Sequence, residues 1–166
     1  VRRPGPAAAL LAFGLLALPA RARPAEPIAL QGQARIIDGD TLVLEGARMR
    51  LHGIDAPELR QRCEADDGTV WPCGRHAAAM LAAMTGAGEL TCEGRRQDRY
   101  RRLVAICAAS GVDVAQQMVA DGLALAARRY SRAYLAVEED ARQQGRGLWS
   151  GRFERPSDWR RARRGG

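Results

Sequence analysis

With 166 residues and a formal net charge of +7, the chain suits one domain that can bury its own core. All 26 basic residues are arginine, which stays charged and matches phosphate oxygens in a bidentate way, although a basic balance alone is weak evidence for a nucleic-acid partner. The four cysteines (Cys63, Cys73, Cys92, Cys107) form no CxxC pair, which argues against a zinc site.

In chain order, Val1-Arg2-Arg3 is basic, Ala7 to Leu18 is nearly all apolar, and Ala20-Arg21-Ala22 is the small-residue pattern read by a signal peptidase. Residues 1–22 are therefore predicted to be a secretory leader, giving a secreted or periplasmic protein. The apolar run is shorter than the roughly 20 residues a bilayer span requires, so no membrane span is expected in the mature chain. In an exported chain the cysteines point to disulfides. Of three possible connectivities, Cys63–Cys73 with Cys92–Cys107 is favoured because each closes a local loop.

Arg23 to Gln33 reads as a Pro-containing lead-in. Ala34 to Ile37 reads as a strand, Asp38-Gly39-Asp40 as a turn, and Thr41 to Glu45 as a second strand. Arg48 to His52 alternates polar and apolar, predicting a half-buried strand with Arg48, Arg50 and His52 on one face. A loop then runs to Cys73, followed by a helix over Arg75 to Met84. Glu89 to Glu93 and Leu103 to Ala108 should form a hairpin, with Cys92 facing Cys107. Asp113 is expected to cap a helix that Gly122 stops, and Leu123 to Ala127 to be extended. Ser131 is expected to cap the last helix, with Glu138 and Arg142 as an i,i+4 pair and Gly145 as its end.

Three clusters carry chemistry. In Asp38-Gly39-Asp40-Thr41 a turn points two carboxylates into one small volume, as hard divalent cations require, though Asp-Gly alone is an ordinary hairpin signal. It is no EF-hand loop, since Val43 and Met49 occupy the obligatory Gly and Glu positions. In Gly53-Ile54-Asp55-Ala56-Pro57-Glu58 a proline stiffens the turn between two carboxylates, which can divide labour as metal ligand and general base. In Asp98-Arg99-Tyr100-Arg101-Arg102 a hairpin turn presents arginines, the side chains that stabilise charge building on a phosphoryl group. His52 and His76 are expected at the surface or in packing, and Trp149 as a core anchor.

As a set these motifs, with Asp121-Gly122-Leu123-Ala124 and Gly147-Leu148-Trp149-Ser150, resemble the thermonuclease (staphylococcal-nuclease-like) family over roughly Ala34 to Ser150. The resemblance implies a mainly β fold with α, an OB-fold five-stranded barrel with three packed helices. It implies calcium ligated by Asp40, Asp55 and the backbone carbonyl of Ala56, with Asp38 in support. Glu58 would be the general base, Arg50 and Arg102 would stabilise the transition state, and Tyr100 and Tyr130 would contact substrate. The activity implied is endonucleolytic hydrolysis of DNA and RNA leaving 3′-phosphate ends, by a protein expected to be monomeric. Four departures stand out. Ala56 replaces a Thr, Arg101 replaces a Gly, Arg128 replaces a Tyr, and the Cys63–Cys73 loop with Trp71 and Pro72 is distinct. Arg101 is expected to project to solvent, strained if its turn needs a left-handed backbone.

The expected organisation is a leader (1–22), a nuclease-like domain (23–150) and an Arg-rich tail (151–166), read as either a nucleic-acid arm or a disordered solubilising tail. The main rival is a non-catalytic OB module binding single-stranded nucleic acid or protein, disfavoured because Arg50, Glu58 and Arg102 are all present. A cell-envelope adhesion protein has only the leader and the tail in its favour.

Overall fold

A computed structural model describes residues 26–86 and 88–164. The predicted leader lies outside the described residues. The first half of the chain forms β1 (Ile28–Gly32), β2 (Ala34–Ile36), β3 (Thr41–Leu44), β4 (Ala47–Leu51), β5 (Ile54–Asp55), β6 (Cys63–Ala65), β7 (Val70–Trp71) and α1 (Cys73–Gly86). It continues through β8 (Leu90–Gln97), β9 (Leu103–Ala109), β10 (Val112–Asp113), α2 (Val114–Ala120), β11 (Leu125–Ala126) and α3 (Leu135–Gln143). A short 3-10 turn over Gly147–Ser150 leads to β12 (Gly151–Arg152) and α4 (Pro156–Ala162).

The period-2 pattern places the strands as expected. Along β4, Met49 and Leu51 are buried while Arg48 is exposed and Arg50 half-buried. The main sheet runs β1-β8-β9-β4-β3-β2, with β10 paired to β9. Its inner face packs Leu42, Leu44, Met49, Leu51, Leu90 and Leu103 against Leu81 of α1 and Met118 and Val119 of α2. A second, smaller core gathers Leu125 and Leu148 around the Cys63–Cys73 disulfide, with Trp71, Trp149 and Phe153 partly buried against it. Cys92 is bonded to Cys107, directly across the β8–β9 pairing. Leu148 N–H donates to the Gly122 carbonyl (2.9 Å), so the two motifs late in the chain dock on one another.

This curled sheet with packed helices is the OB-like class expected, with additions. Ile28 to Gly32, read as lead-in, forms β1 because Leu30 packs on the core while the backbone pairs with β8. The loop before Cys73 contains a small sheet, β12-β6-β7, held at Cys63 by the disulfide. The tail is ordered as β12 and α4, whose Pro156 is buried at the first turn. Ser131 Oγ accepts from Ala133 N–H (3.1 Å) and so caps a turn, while α3 starts after Tyr134. Glu138 is buried and takes Ala126 N–H and Arg128, not Arg142, which pairs instead with Glu139 on the exposed side of α3.

Candidate active site

The site grows from the Asp38-Gly39-Asp40 turn between β2 and β3. Ile37 and Asp38 amides both donate to the Thr41 carbonyl, and Asp38 Oδ1 accepts the Asp40 amide at 3.0 Å. Asp38 thus supports the turn that aims Asp40. Glycine at 39 is required by packing rather than by its backbone angle: a Cβ there would lie 2.7 Å from Ala56 Cβ and 2.9 Å from Ala77 Cβ. The turn is pressed onto α1 and onto the second carboxylate segment. This contact brings Asp40 Oδ2 to the Ala56 amide (2.9 Å), joining two motifs sixteen residues apart.

Arg50 lies across from Thr41 on β4 and bridges the carboxylates. Its Nη1 contacts Asp40 Oδ1, and its Nη2 reaches Asp55 Oδ1 (3.1 Å) and the Ile54 carbonyl (3.2 Å). Burial, with Asp38 adding to it, raises the Asp40 carboxyl above its usual range against the pull of Arg50. Burial opposes the charge on Arg50 as well, but Asp40 and Asp55 together hold its pKa above the ordinary value.

Arg102 immediately precedes β9, which pairs in parallel with β4 so that Val104 faces Arg50. Asp98 accepts from Arg102 Nε (2.8 Å) and from the amides of Tyr100 and Arg102. Arg102 Nη1 donates to Thr41 Oγ1 (3.2 Å), which in turn donates to Asp40 Oδ1 (3.0 Å). Both arginines are thereby anchored at Asp40, Arg50 directly and Arg102 through Thr41. Arg101, one residue earlier, is exposed at φ +63, the left-handed conformation that a glycine adopts freely.

Glu58 is held by its backbone. The first turn of α1 lies so close that a Cβ on Gly74 would sit 1.8 Å from the Glu58 carbonyl oxygen. The Gln61 side chain accepts the Glu58 amide (3.2 Å), and its Nε2 donates to the Glu154 carbonyl (2.6 Å). Gln61 is 1% exposed, and the Cys63–Cys73 bond ties the same loop to α1. Sequence reasoning passed over Gln61, a lone amide in a loop with no local signal.

Also unforeseen was Arg160 of α4, whose guanidinium meets Glu58 and Asp55. The tail reading overlooked its helix, which carries a signal: Pro156 at the start, Asp158 in the first turn and Arg160 and Arg161 in the last.

Tyr100 is 52% exposed beside this cluster, with Arg99 and Arg102 guanidiniums 4.8 and 5.4 Å from its ring centre. Desolvation raises its phenol, but the hydrogen bonds and charges of Arg99 and Arg164 together outweigh it and hold the phenol below the ordinary value. Tyr130 is 63% exposed just beyond β11, which pairs with β5 and so with the strand bearing Asp55. His52 shares the outer face of β4 with Arg50 and helps line a groove of about 640 Å³ with Thr91, Arg96, Val104 and Ile106. His76 stacks edge-on against Trp71, and neither histidine meets the carboxylates.

The donors suit a hard cation in kind, since Asp40 and Asp55 are carboxylates converging on one guanidinium. Among the described residues, no three His, Cys, Asp or Glu side chains gather to hold a metal ion. A cation on Asp40 and Asp55 would complete its shell with backbone or solvent oxygen.

The staphylococcal nuclease homologue family matches residues 48–151. The succinoglycan biosynthesis protein ExoI of Rhizobium meliloti is 38% identical over 128 residues, covering 75% of this chain and 66% of that protein. An uncharacterized endonuclease of Escherichia coli O157:H7 is 32% identical over 123 residues, covering 70% of this chain and 74% of its own length. A probable staphylococcal-like nuclease of Oryza sativa, CAN1, is 35% identical over 131 residues, 77% of this chain and 37% of the plant protein. The chain therefore spans less than two thirds of the rhizobial and plant relatives. With the family match covering more than half of its length, this chain belongs to the staphylococcal nuclease homologue family.

Proposed function

We propose that this protein is an exported, calcium-dependent endonuclease that hydrolyses phosphodiester bonds of DNA and RNA and leaves 3′-phosphate ends. The observation that carries the reading is the convergence of Arg50, Arg102, Asp40, Asp55 and Glu58 in one half-buried cluster. A binding module has no need of two carboxylates braced beside two anchored arginines.

Asp40 and Asp55, with the Ala56 carbonyl, would hold the calcium ion. When bound, calcium supplies a Lewis acid that polarises the phosphate. Glu58 takes a proton from water as that water's oxygen bonds to phosphorus, opposite the 5′-oxygen. The bond from phosphorus to the 5′-oxygen breaks, that oxygen takes a proton from solvent, and Glu58 returns its own proton to solvent. Arg50 and Arg102 donate to the equatorial oxygens, where charge builds; their anchors keep the donors in place before substrate arrives. Tyr100 and Tyr130, exposed at the rim, offer surfaces for the sugar and base. Export is supported by the N-terminal pattern and by the two disulfides. Among the described residues no helix is long and apolar enough to cross a membrane.

The test is cleavage of single- and double-stranded DNA and RNA by the oxidised protein, with calcium or with chelator. Cutting with calcium that chelator abolishes is the expected result; full cutting in excess chelator would remove the cation from the mechanism.

A further inference from the structure

Two of the site's carboxylates are held by a guanidinium from outside the span of the family match. The family match ends at residue 151, and α4 begins at Pro156. From that helix Arg160 Nη1 reaches Glu58 Oε1 at 2.7 Å, while Nη2 lies 2.9 and 3.1 Å from the two oxygens of Asp55. The Arg160 side chain is only 27% exposed. Its helix is fastened on both sides of the site. Before it, the Glu154 carbonyl accepts from buried Gln61, the residue that also holds the Glu58 amide. After it, Arg164 Nη2 lies 3.3 Å from the Tyr100 hydroxyl. The helix thus bridges the carboxylate side and the tyrosine side of the cluster.

Arg161, on the same helix, pairs only with Asp158 of that helix and reaches no other element. Arg160 instead takes three oxygens on the two residues the reaction needs free. While both are engaged by the same fork, Glu58 is a weaker base and Asp55 a poorer cation ligand. A guanidinium fork fits a phosphate as well as it fits a carboxylate, with donors in the same plane and at the same spacing. Resting on the nuclease reading, we propose that Arg160 is a substrate-binding arginine: it shields Asp55 and Glu58 until a nucleic-acid strand arrives, then transfers its fork to a backbone phosphate. The handover releases Glu58, leaves Asp55 with Arg50 alone (3.1 Å) beside a bound phosphodiester, and gives the site a third phosphate-binding arginine, beyond Arg50 and Arg102.

The handover predicts two effects of opposite sign in one variant. In Arg160→Gln, calcium titrated calorimetrically without nucleic acid should bind about tenfold more tightly, because a competing positive charge has left Asp55. A labelled thymidine hexanucleotide, measured by anisotropy in chelator so that nothing is cut, should bind about tenfold more weakly. Its salt dependence should fall by about 0.7 in slope, the share of one lost phosphate contact on a single strand. Arg161→Gln, on the exposed side of the same helix, should change neither. If Arg160→Gln binds the oligonucleotide with wild-type affinity and slope while the wild type cuts nucleic acid, Arg160 is no substrate residue and the nuclease reading stands. If the wild type neither binds the oligonucleotide nor cuts, both fail together. Should Arg160→Gln lose thermal stability and weaken both ligands, Arg160→Lys decides: restored oligonucleotide slope supports the phosphate contact, and its continued absence overturns it.

Discussion

Replacing Arg101 by glycine should stabilise the protein and leave turnover intact. Arg101 sits at φ +63 in a turn closed at both ends, its own amide donating to the Asp98 carbonyl (3.0 Å) and the Asp98 amide donating to the Arg102 carbonyl (2.9 Å). The backbone angle is therefore imposed by the turn. A left-handed residue with a Cβ costs about 1–2 kcal/mol. Glycine relieves that strain but gives back about 0.5–1 kcal/mol through the greater freedom of the unfolded chain. Arg101 is exposed, so removing its side chain forfeits little burial. The balance is a gain of about 0.5–1 kcal/mol, or about 2 °C in melting temperature for a domain of this size. Thermal unfolding followed by circular dichroism measures the gain, and steady-state cleavage of a defined oligonucleotide measures the turnover. The companion variant Arg102→Ala should lose about 10²-fold or more in kcat, as removal of a preorganised transition-state donor does. A destabilised Arg101→Gly that also loses turnover, beside an Arg102→Ala that works normally, would mean that the turn is read one residue out of place.

Asp98 accepts two amides and the Arg102 guanidinium, which together outweigh the burial that opposes its charge and hold its carboxyl below the usual range. Its contribution is thus complete above about pH 3.9, the unperturbed value, and is lost as pH falls through the lower folded value. Carbon-detected NMR titration should give an Asp98 midpoint below about 3.9, and a midpoint above it would break the link between this carboxylate and the set of Arg102. Gln61→Ala should cost about 1–3 kcal/mol from two broken buried hydrogen bonds and lower kcat more than it raises KM, because it loosens the Glu58 turn rather than the substrate contacts. An unchanged kcat in a folded Gln61→Ala would show that Gln61 serves the fold alone.

Local pattern carried the residues that sit on strands and tight turns. Arg50 is legible because alternation along β4 turns it opposite to Met49 and Leu51, and the Asp40 turn because Asp-Gly is a turn signal. The Arg101 position is legible because an arginine in a glycine slot keeps the backbone angle that the slot demands. What escaped was tertiary. Strands β6, β7 and β12 are two or three residues long, too short for any period to show, and take their order from backbone pairing and from the Cys63–Cys73 bond. Glu138 has a charged partner at the helical i+4 position, yet the helix turns it inward to cap Ala126. The run from Arg160 to Arg164 reads as a solvated basic tail because its partners, Glu58, Asp55 and Tyr100, lie 64 to 105 residues earlier.

The most direct test of the central claim is single-turnover cleavage by Glu58→Gln in calcium, with oligonucleotide binding measured on the same preparation. The glutamine keeps the shape of the side chain and can still meet Arg160, but cannot accept a proton from water. Cleavage should slow by about 10²-fold or more while the oligonucleotide stays bound. Cleavage near the wild-type rate would take the proton-accepting role away from Glu58 and contradict the account of this site.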